Sequence, residues 1–571
     1  MTWLPAPERG DTVPGRLSAI SAGRPAPIVF VDPAGREDVT DVASLDAAAR
    51  AVARRLCARG LARADRIAFI GFTTRAFVEA LLGAWQLGAT VTVLPIPVRQ
   101  RDAAALRAQT WRLARSLRVR LVIADSVFHD LLADHDAAAP ALLALDALAS
   151  GDGATADDGP APSDLALLQL TSGSSGPVKA VCLAHAALCA NIDAIADAGQ
   201  LTSGDCAVSW LPLYHDMGLI GGLLVPLVAG CAAVLVSPHV FMTRPAIWME
   251  LVSRRRGTLL VAPSFGYALA ARTLDGPRAL DLSSVRLALC GAERIVPADI
   301  ARFLAAGQPH GLPGNVVTPC YGLAEASLAV TIAPPSRGMV VDRVARAALE
   351  HDRRAIPACG DEPGKEVVGL GRPVRGVAVR IIDDHGGDAA ERSVGEVWVA
   401  GASLLAGYDI DGAQVAALDG GWLRTGDLGY LVAGELFVCG RDKDLIIVRG
   451  RNIWPEDVEH ATESVRGVRR GNACAFAVDD DADREAIVIV AERARDVEPS
   501  GIAAAVLAAV TEAIGIAPRH VVVLEPSALP KTSSGKLRRP VTRASYLAGA
   551  FAAIDEAGAA PRPPARPGGW T

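Results

Sequence analysis

The stretch Arg66–Pro95, RIAFIGFTTRAFVEALLGAWQLGATVTVLP, decides the fold. Its first seven residues, RIAFIGF (66–72), form a continuous apolar run of strand length. TRAFVEALLGAWQLG (74–88) has apolar residues at helical spacing and closes on Gly88. ATVTVLP (89–95) is a second apolar run rich in β-branched residues. A strand, a helix and a strand in so short a span predict a parallel pair joined by a helical crossover.

Outward from this unit the same alternation continues. Further strands are expected at LVIAD (121–125), LALLQL (165–170), TLLVAP (258–263), VRLALC (285–290) and NVVTPC (315–320). Several end on Gly-rich or small-residue turns, and in open α/β sheets ligands bind at such strand ends. The stretch 151–163 is polar and loop-like, and 337–378 reads as irregular. After Gly440 the pattern changes: EAIVIVAERA (485–494) reads as a strand, SGIAAAVLAAVTEAIG (500–515) as a helix and RHVVVLE (519–525) as a strand. The expected class is therefore α/β, with a large N-terminal domain built on parallel sheets and a small α+β C-terminal domain. The tail 558–571, rich in Pro and Gly, is expected to be disordered.

Composition narrows the function. A chain of 571 residues with 51% hydrophobic and 21% charged residues is globular and long enough for several domains. A net charge of −6 gives no general basic surface for nucleic acid. Ten cysteines are scattered without CxxC pairs or zinc spacing, which suits a reducing, cytoplasmic setting. The amino terminus lacks the basic and apolar pattern of a signal peptide. Gly218–Val236, GLIGGLLVPLVAGCAAVLV, is long enough to imitate a membrane span. Gly221, Gly222, Pro226 and Gly230 interrupt it, so the expected structure is a buried helix to about Leu227, a turn, and a buried strand. No integral membrane segment is expected. The chain has five lysines against 52 arginines, so each lysine is a candidate for a site that needs a compact ammonium. Four of them (Lys179, Lys443, Lys531 and Lys536) fall in the motifs below, and Lys365 does not.

The motif with the clearest chemistry is Thr171-Ser172-Gly173-Ser174-Ser175-Gly176, closed by Lys179 after the strand LALLQL. Small residues let a backbone fold around an anion, hydroxyl and N–H groups donate to it, and the lysine adds charge. The loop is not a Walker A motif. By itself it points to a polyphosphate. The next blocks are Trp210-Leu-Pro-Leu-Tyr-His215-Asp216-Met217-Gly218, then Cys290-Gly291-Ala292-Glu293, then Tyr321-Gly322-Leu323-Ala324-Glu325. After them come Thr425-Gly426-Asp427, Gly440-Arg441-Asp442-Lys443-Asp444, and Leu529-Pro530-Lys531-Thr532-Ser533-Ser534-Gly535-Lys536.

These blocks, in this order, resemble the adenylate-forming superfamily of acyl-CoA synthetases, peptide-synthetase adenylation domains and luciferases. Within it the chain is most similar to the fatty acyl-AMP ligases. The resemblance spans about 165–540 well and the amino-terminal third more loosely. It implies ATP and Mg²⁺ as cofactors and a fatty or related carboxylic acid as substrate. Thr171–Gly176 and Lys179 would hold phosphates. Gly291, Ala292 and Glu293 would line the adenine, with Tyr321 stacking on it beside Gly322, Leu323 and Ala324. Asp427 and Arg441 would take the ribose, and Glu325 the metal ion. His215 and Asp216 would flank the acyl carboxylate. Lys536 would be the catalytic lysine and Lys443 the hinge. The implied organisation is a large domain 1–440, a hinge 441–446 and a mobile lid 447–557.

Single residues also have purely structural alternatives: a capping aspartate and a packed histidine at 215–216, a surface carboxylate at 325, a turn lysine at 443. Val178, Ala180, Cys290 and Arg294 depart from the family pattern and bear on loop geometry. No phosphopantetheine site is evident in the chain, so a thiol acceptor must come in trans. The 337–378 stretch resembles the insertion that marks fatty acyl-AMP ligases, which implies an acyl-carrier protein as acceptor. An acyl-CoA synthetase, a stand-alone amino-acid activator and a non-catalytic nucleotide-binding scaffold are the alternatives.

Overall fold

The computed structural model describes residues 11–23, 26–96, 103–134, 139–150, 159–171, 178–276, 279–448, 450–479, 485–531 and 536–559. The deciding unit forms as read. Strand Arg66–Ile70 pairs in parallel with Thr90–Val93 through the helix Arg75–Gln86. The Thr74 hydroxyl caps that helix by accepting from Phe77 N at 3.3 Å, and Gly88 at φ +80° turns the chain into the next strand. Trp85, fully buried, donates from Nε1 to Ala166 O at 2.7 Å and pins the helix to the strand Leu165–Leu170.

This unit is the centre of an eight-stranded sheet. Its parallel core runs Leu165–Leu170, Thr90–Val93, Arg66–Ile70, Leu121–Ala124, Ala141–Ala144. Lys179–Ala184, Gly407–Ile410 and Ala413–Val415 add antiparallel strands at one edge. A second, nine-stranded sheet has a parallel core of Val317–Gly322, Leu287–Cys290, Leu259–Ala262, Cys206–Ser209, Ala232–Val236 and Pro27–Val31. Its edges, Glu37–Asp41, Ala329–Ile332 and Arg372–Pro373, are antiparallel. The sheets are thus mixed rather than parallel throughout. A third sheet, Val377–Ile382, Gly395–Gly401, Trp422–Val432, Leu418–Asp419 and Glu435–Arg441, is antiparallel. The sequence analysis has no counterpart for it, because glycines and charged residues interrupt the apolar runs of strands such as Trp422–Val432, WLRTGDLGYLV.

The membrane-like stretch is interior structure. Met217–Leu224 is a π-helix, Val225–Val228 continues it as an α-helix, Gly230 turns at φ +69°, and Ala232–Val236 is a buried strand. Among the described residues no helix is long and apolar enough to cross a membrane. The 337–378 stretch is more regular than expected. Val341–Ala345 and Gly364–Val368 form an antiparallel ribbon that carries the helix Arg346–Asp352. The smaller C-terminal domain has the sheet Val468–Asp479, Glu485–Arg493, His520–Leu524, Asp555–Gly558, covered by helices Pro455–Glu463 and Ile502–Ile514. Gly558 therefore belongs to this sheet rather than to the tail, and 560–571 lie outside the described residues.

The second sheet has a buried ionic anchor at its strand entrances. Asp205 takes Arg286 Nε at 2.7 Å and Nη2 at 2.6 Å, Thr258 Oγ1 at 2.7 Å and Thr202 N at 2.8 Å. Burial pushes this carboxyl up, but the Arg286 and Thr258 bonds outweigh it and hold it at about 2, below the ordinary 3.8. A depressed folded-state value means the anchor is fully effective above pH 3.8 and is lost as pH falls towards 2. Asp205→Asn is expected to cost on the order of 3 kcal/mol at neutral pH. In denaturant melts, the gap between wild type and variant should close as pH falls from about 4 to about 2.

Candidate active site

The carboxyl ends of the parallel strands open into a cleft of about 3330 Å³, bounded on its far side by the C-terminal domain. Strand Val317–Gly322 delivers Tyr321, whose hydroxyl donates to Asp427 Oδ2 at 2.6 Å. Asp427 is opposite Arg441 in strand register, and Arg441 Nε lies 3.0 Å from its Oδ1. Asp427 raises the Arg441 guanidinium above its usual value, and burial, helped by Asp427, raises the Tyr321 phenol well above its own. Two blocks 106 residues apart in sequence thus meet in one polar cluster.

Close packing requires glycine beside them. A Cβ on Gly322 would sit 1.8 Å from Leu328 O, and one on Gly291 2.7 Å from Cys320 O. Ala292 takes a left-handed conformation at φ +67°, and strain of this kind clusters at binding sites. The Glu293 side chain turns inward: Oε1 accepts from Phe265 N at 2.9 Å, and burial raises its carboxyl above the ordinary value. It ties the 290–293 segment to the helix Ser264–Leu274.

Ser172, Gly173, Ser174, Ser175 and Gly176 lie outside the described residues. Both ends of that loop are held. Thr171 N is 3.5 Å from Lys179 O, and Val178 N donates to Asp411 Oδ1 at 3.2 Å. Lys179 begins a strand, with Nζ 3.5 Å from the centre of the Tyr408 ring. Tyr408 in turn donates to Glu325 Oε1 at 3.1 Å. Burial lowers the Lys179 ammonium, opposed by Glu325 and reinforced by Lys443 across the cleft. Tyr408 is a site residue that no motif signalled, because it comes from a short antiparallel strand far along the chain.

His215 Nδ1 lies 2.6 Å from Asp216 Oδ1, and that oxygen also caps the π-helix by accepting from Met217 N at 2.6 Å. Burial pushes the Asp216 carboxyl up, but His215 and then the charge of Lys536 outweigh it and hold it low. Lys536 lines the same cleft as Asp216 and Glu293 and its charge favours both carboxylates, although it is more than 300 residues from the first. Arg539, buried three residues later, anchors this segment. It pairs with Glu459 and Glu456, lies 3.8 Å from Asp444, and donates to Ala475 O at 2.9 Å. Lys443 is in the short turn Asp442–Asp444 at the cleft edge.

The profile of AMP-binding enzymes matches residues 21–409. The chain belongs to that family. It is 34% identical to the long-chain fatty-acid–AMP ligase FadD26 of Mycobacterium bovis, over 92% of this chain and 94% of the relative. It is 35% identical to the medium-chain fatty-acid–[acyl-carrier-protein] ligase JamA of Moorena producens, over 67% of this chain and 68% of the relative. A solved structure from work on fatty acyl-adenylate ligases of E. coli and L. pneumophila superposes with a TM-score of 0.87. It covers 94% of this chain and 97% of that one at 34% identity. The fold is that of the adenylate-forming enzymes, and the chain is an adenylate-forming ligase.

Removal of the Tyr321 hydroxyl takes a charge-assisted bond from Asp427. Tyr321→Phe is expected to weaken ATP binding about tenfold, read as KM for ATP in pyrophosphate release, with the thermal unfolding profile kept.

Proposed function

We propose that this enzyme activates a fatty, or related carboxylic, acid with ATP. The acid carboxylate attacks the α-phosphorus, the bond to the β-phosphate oxygen breaks, and acyl-adenylate and pyrophosphate form. The thiol of a carrier protein's phosphopantetheine then attacks the acyl carbonyl, and AMP leaves. The observation that carries the reading is that one cleft is lined by the Tyr321–Asp427–Arg441 cluster and by His215, Asp216 and Lys536 together.

In this reading Asp427 and Arg441 hold the ribose. The 291–293 segment and Tyr321 to Ala324 hold the base. Thr171 to Gly176 and Lys179 hold the phosphates. His215 and Asp216 border the carboxylate. Lys536 is the catalytic residue: its ammonium lowers the repulsion between carboxylate and α-phosphate where charge is brought together. Glu325 would hold Mg²⁺: its carboxylate, which accepts from Tyr408 at 3.1 Å and lies close enough to Lys179 to raise that ammonium, offers the hard oxygen donor this ion takes. When bound it would neutralise phosphate charge. Asp216 is already paired with His215 and caps Met217, which argues against an amino-acid ammonium as its partner.

The acceptor reading rests on the 341–368 ribbon. Its Glu350 accepts Arg451 Nε at 3.0 Å and offers its carbonyl to Asn452 Nδ2 at 2.8 Å. Arg346 donates to Ala513 O. Lys365, buried, lies 2.9 Å from Asp457 Oδ2 and 4.7 Å from the Trp454 ring. Arg451, Asn452, Trp454, Asp457 and Ala513 all belong to the proposed lid, 447–557, which turns about the hinge 441–446 at Lys443. These contacts favour the pose that keeps Lys536 in the cleft and oppose the one that coenzyme A needs.

Two measurements test this. Lys536→Ala should cut acid-dependent pyrophosphate release by about 10²–10³; an unchanged rate would refute the assigned role. With labelled acid and ATP, product should form on a holo-carrier protein and poorly on coenzyme A. Lys365→Met should raise the coenzyme A product about fivefold by freeing the lid. Efficient acyl-CoA formation by the wild type would identify an acyl-CoA synthetase instead.

A further inference from the structure

We propose that Gly221 is a specificity-determining residue: the absence of a side chain there opens the cleft to straight acyl chains beyond short length. From Asp216 to Val228 every residue is buried except Gly221. The three glycines of the π-helix differ in what surrounds them. A Cβ on Gly218 would lie 2.1 Å from Pro212 O, and one on Gly222 2.6 Å from Ser209 Oγ. Backbone leaves no room at Gly218, and the short, buried Ser209 side chain leaves none at Gly222. Gly221 meets only the tip of one flexible side chain, Leu328 Cδ2, at 3.1 Å. Its bareness is not required by backbone packing.

Gly221 and Leu328 both line the cleft, side by side. A larger residue at 221 must either grow into that space or push Leu328 into it, and both narrow the passage. Met217, Gly221 and Val225 recur at four-residue spacing and all face the cleft, so they mark successive depths along one wall. Gly221 is four residues further along this helix than Met217, roughly 5 Å along its axis and away from Asp216. Beyond it the lining is Val225, Pro226, Ala207, Leu259 and Leu287, all apolar. A π-helix is rare and is found most often at functional sites, which suits a wall shaped to pass a ligand. An apolar lining of this kind suits a hydrocarbon chain running past Gly221.

This rests on the acyl-adenylate reading above, and the experiment separates the two. Pyrophosphate release is measured for wild type and Gly221→Val with straight-chain acids of about four to sixteen carbons. The variant should keep kcat/KM for the shortest acids within about threefold and lose about 100-fold for acids of ten carbons or more. Leu328→Ala in the same background should restore at least part of the long-chain activity. A loss equal at all lengths, or no loss at any length, overturns the proposal. If wild type releases no pyrophosphate with any acid, the underlying reading fails instead. Should Gly221→Val not fold, Gly221→Ala carries the test: its single methyl should give a smaller loss, still graded by chain length, and an ungraded effect overturns the proposal.

Discussion

The structure depends on one desolvated carboxylate. Asp457 sits in the first turn of the helix Pro455–Glu463, at the seam between the two domains. It faces Lys365 at 2.9 Å and Arg294 at 3.0 Å. Burial pushes this carboxyl up, but Lys365 and Arg294 outweigh it and hold it low. A buried charge without partners costs several kcal/mol, so the helix is stable in this position only where both cations reach it. Arg294 directly follows the 290–293 segment, and Lys365 comes from the ribbon of Val341–Ala345 and Gly364–Val368. The C-terminal domain is therefore located by the two parts of the large domain that adjoin the cleft.

Position at the seam carries through to the segment of Lys536. Arg539 grips the same helix at Glu456 and Glu459 and reaches Asp444 near the domain junction. Even beside Arg539, burial raises Glu459 to about 7. The segment that bears Lys536 is thus fastened to the helix that Asp457 anchors. A chain of ionic contacts relates the placement of the domain to the placement of one ammonium near Asp216. Trp454 adds a steric contact, since a Cβ on Gly440 would lie 2.7 Å from its ring.

Much of the fold was legible because helix and parallel strand have different hydrophobic periods. LALLQL is a strand over 165–170 as read, and the membrane-like stretch resolves into helix, turn and strand. The antiparallel third sheet and the antiparallel strands added to the parallel cores were not legible, since partners such as Lys179–Ala184 and Gly407–Ile410 lie more than 200 residues apart. Of the site, Tyr321, Asp427, Arg441, His215, Asp216 and Lys536 carried motif signals and do line one cleft. Tyr408 carried none, and Glu293 proved to be tied to Phe265 N. Arg294, a departure from pattern that bore only on loop geometry, is an ion-pair partner across the seam.

By itself the sequence determined which residue types the cleft contains and the order of the elements that deliver them. It also marked Lys365 as a lysine outside every motif, without a reason. Only the tertiary structure decided which charges meet. Periodicity and motif spacing are local properties of the chain. The pairing of Asp457 with Arg294 and Lys365, and the open wall at Gly221, follow from how distant surfaces exclude water and fill space together.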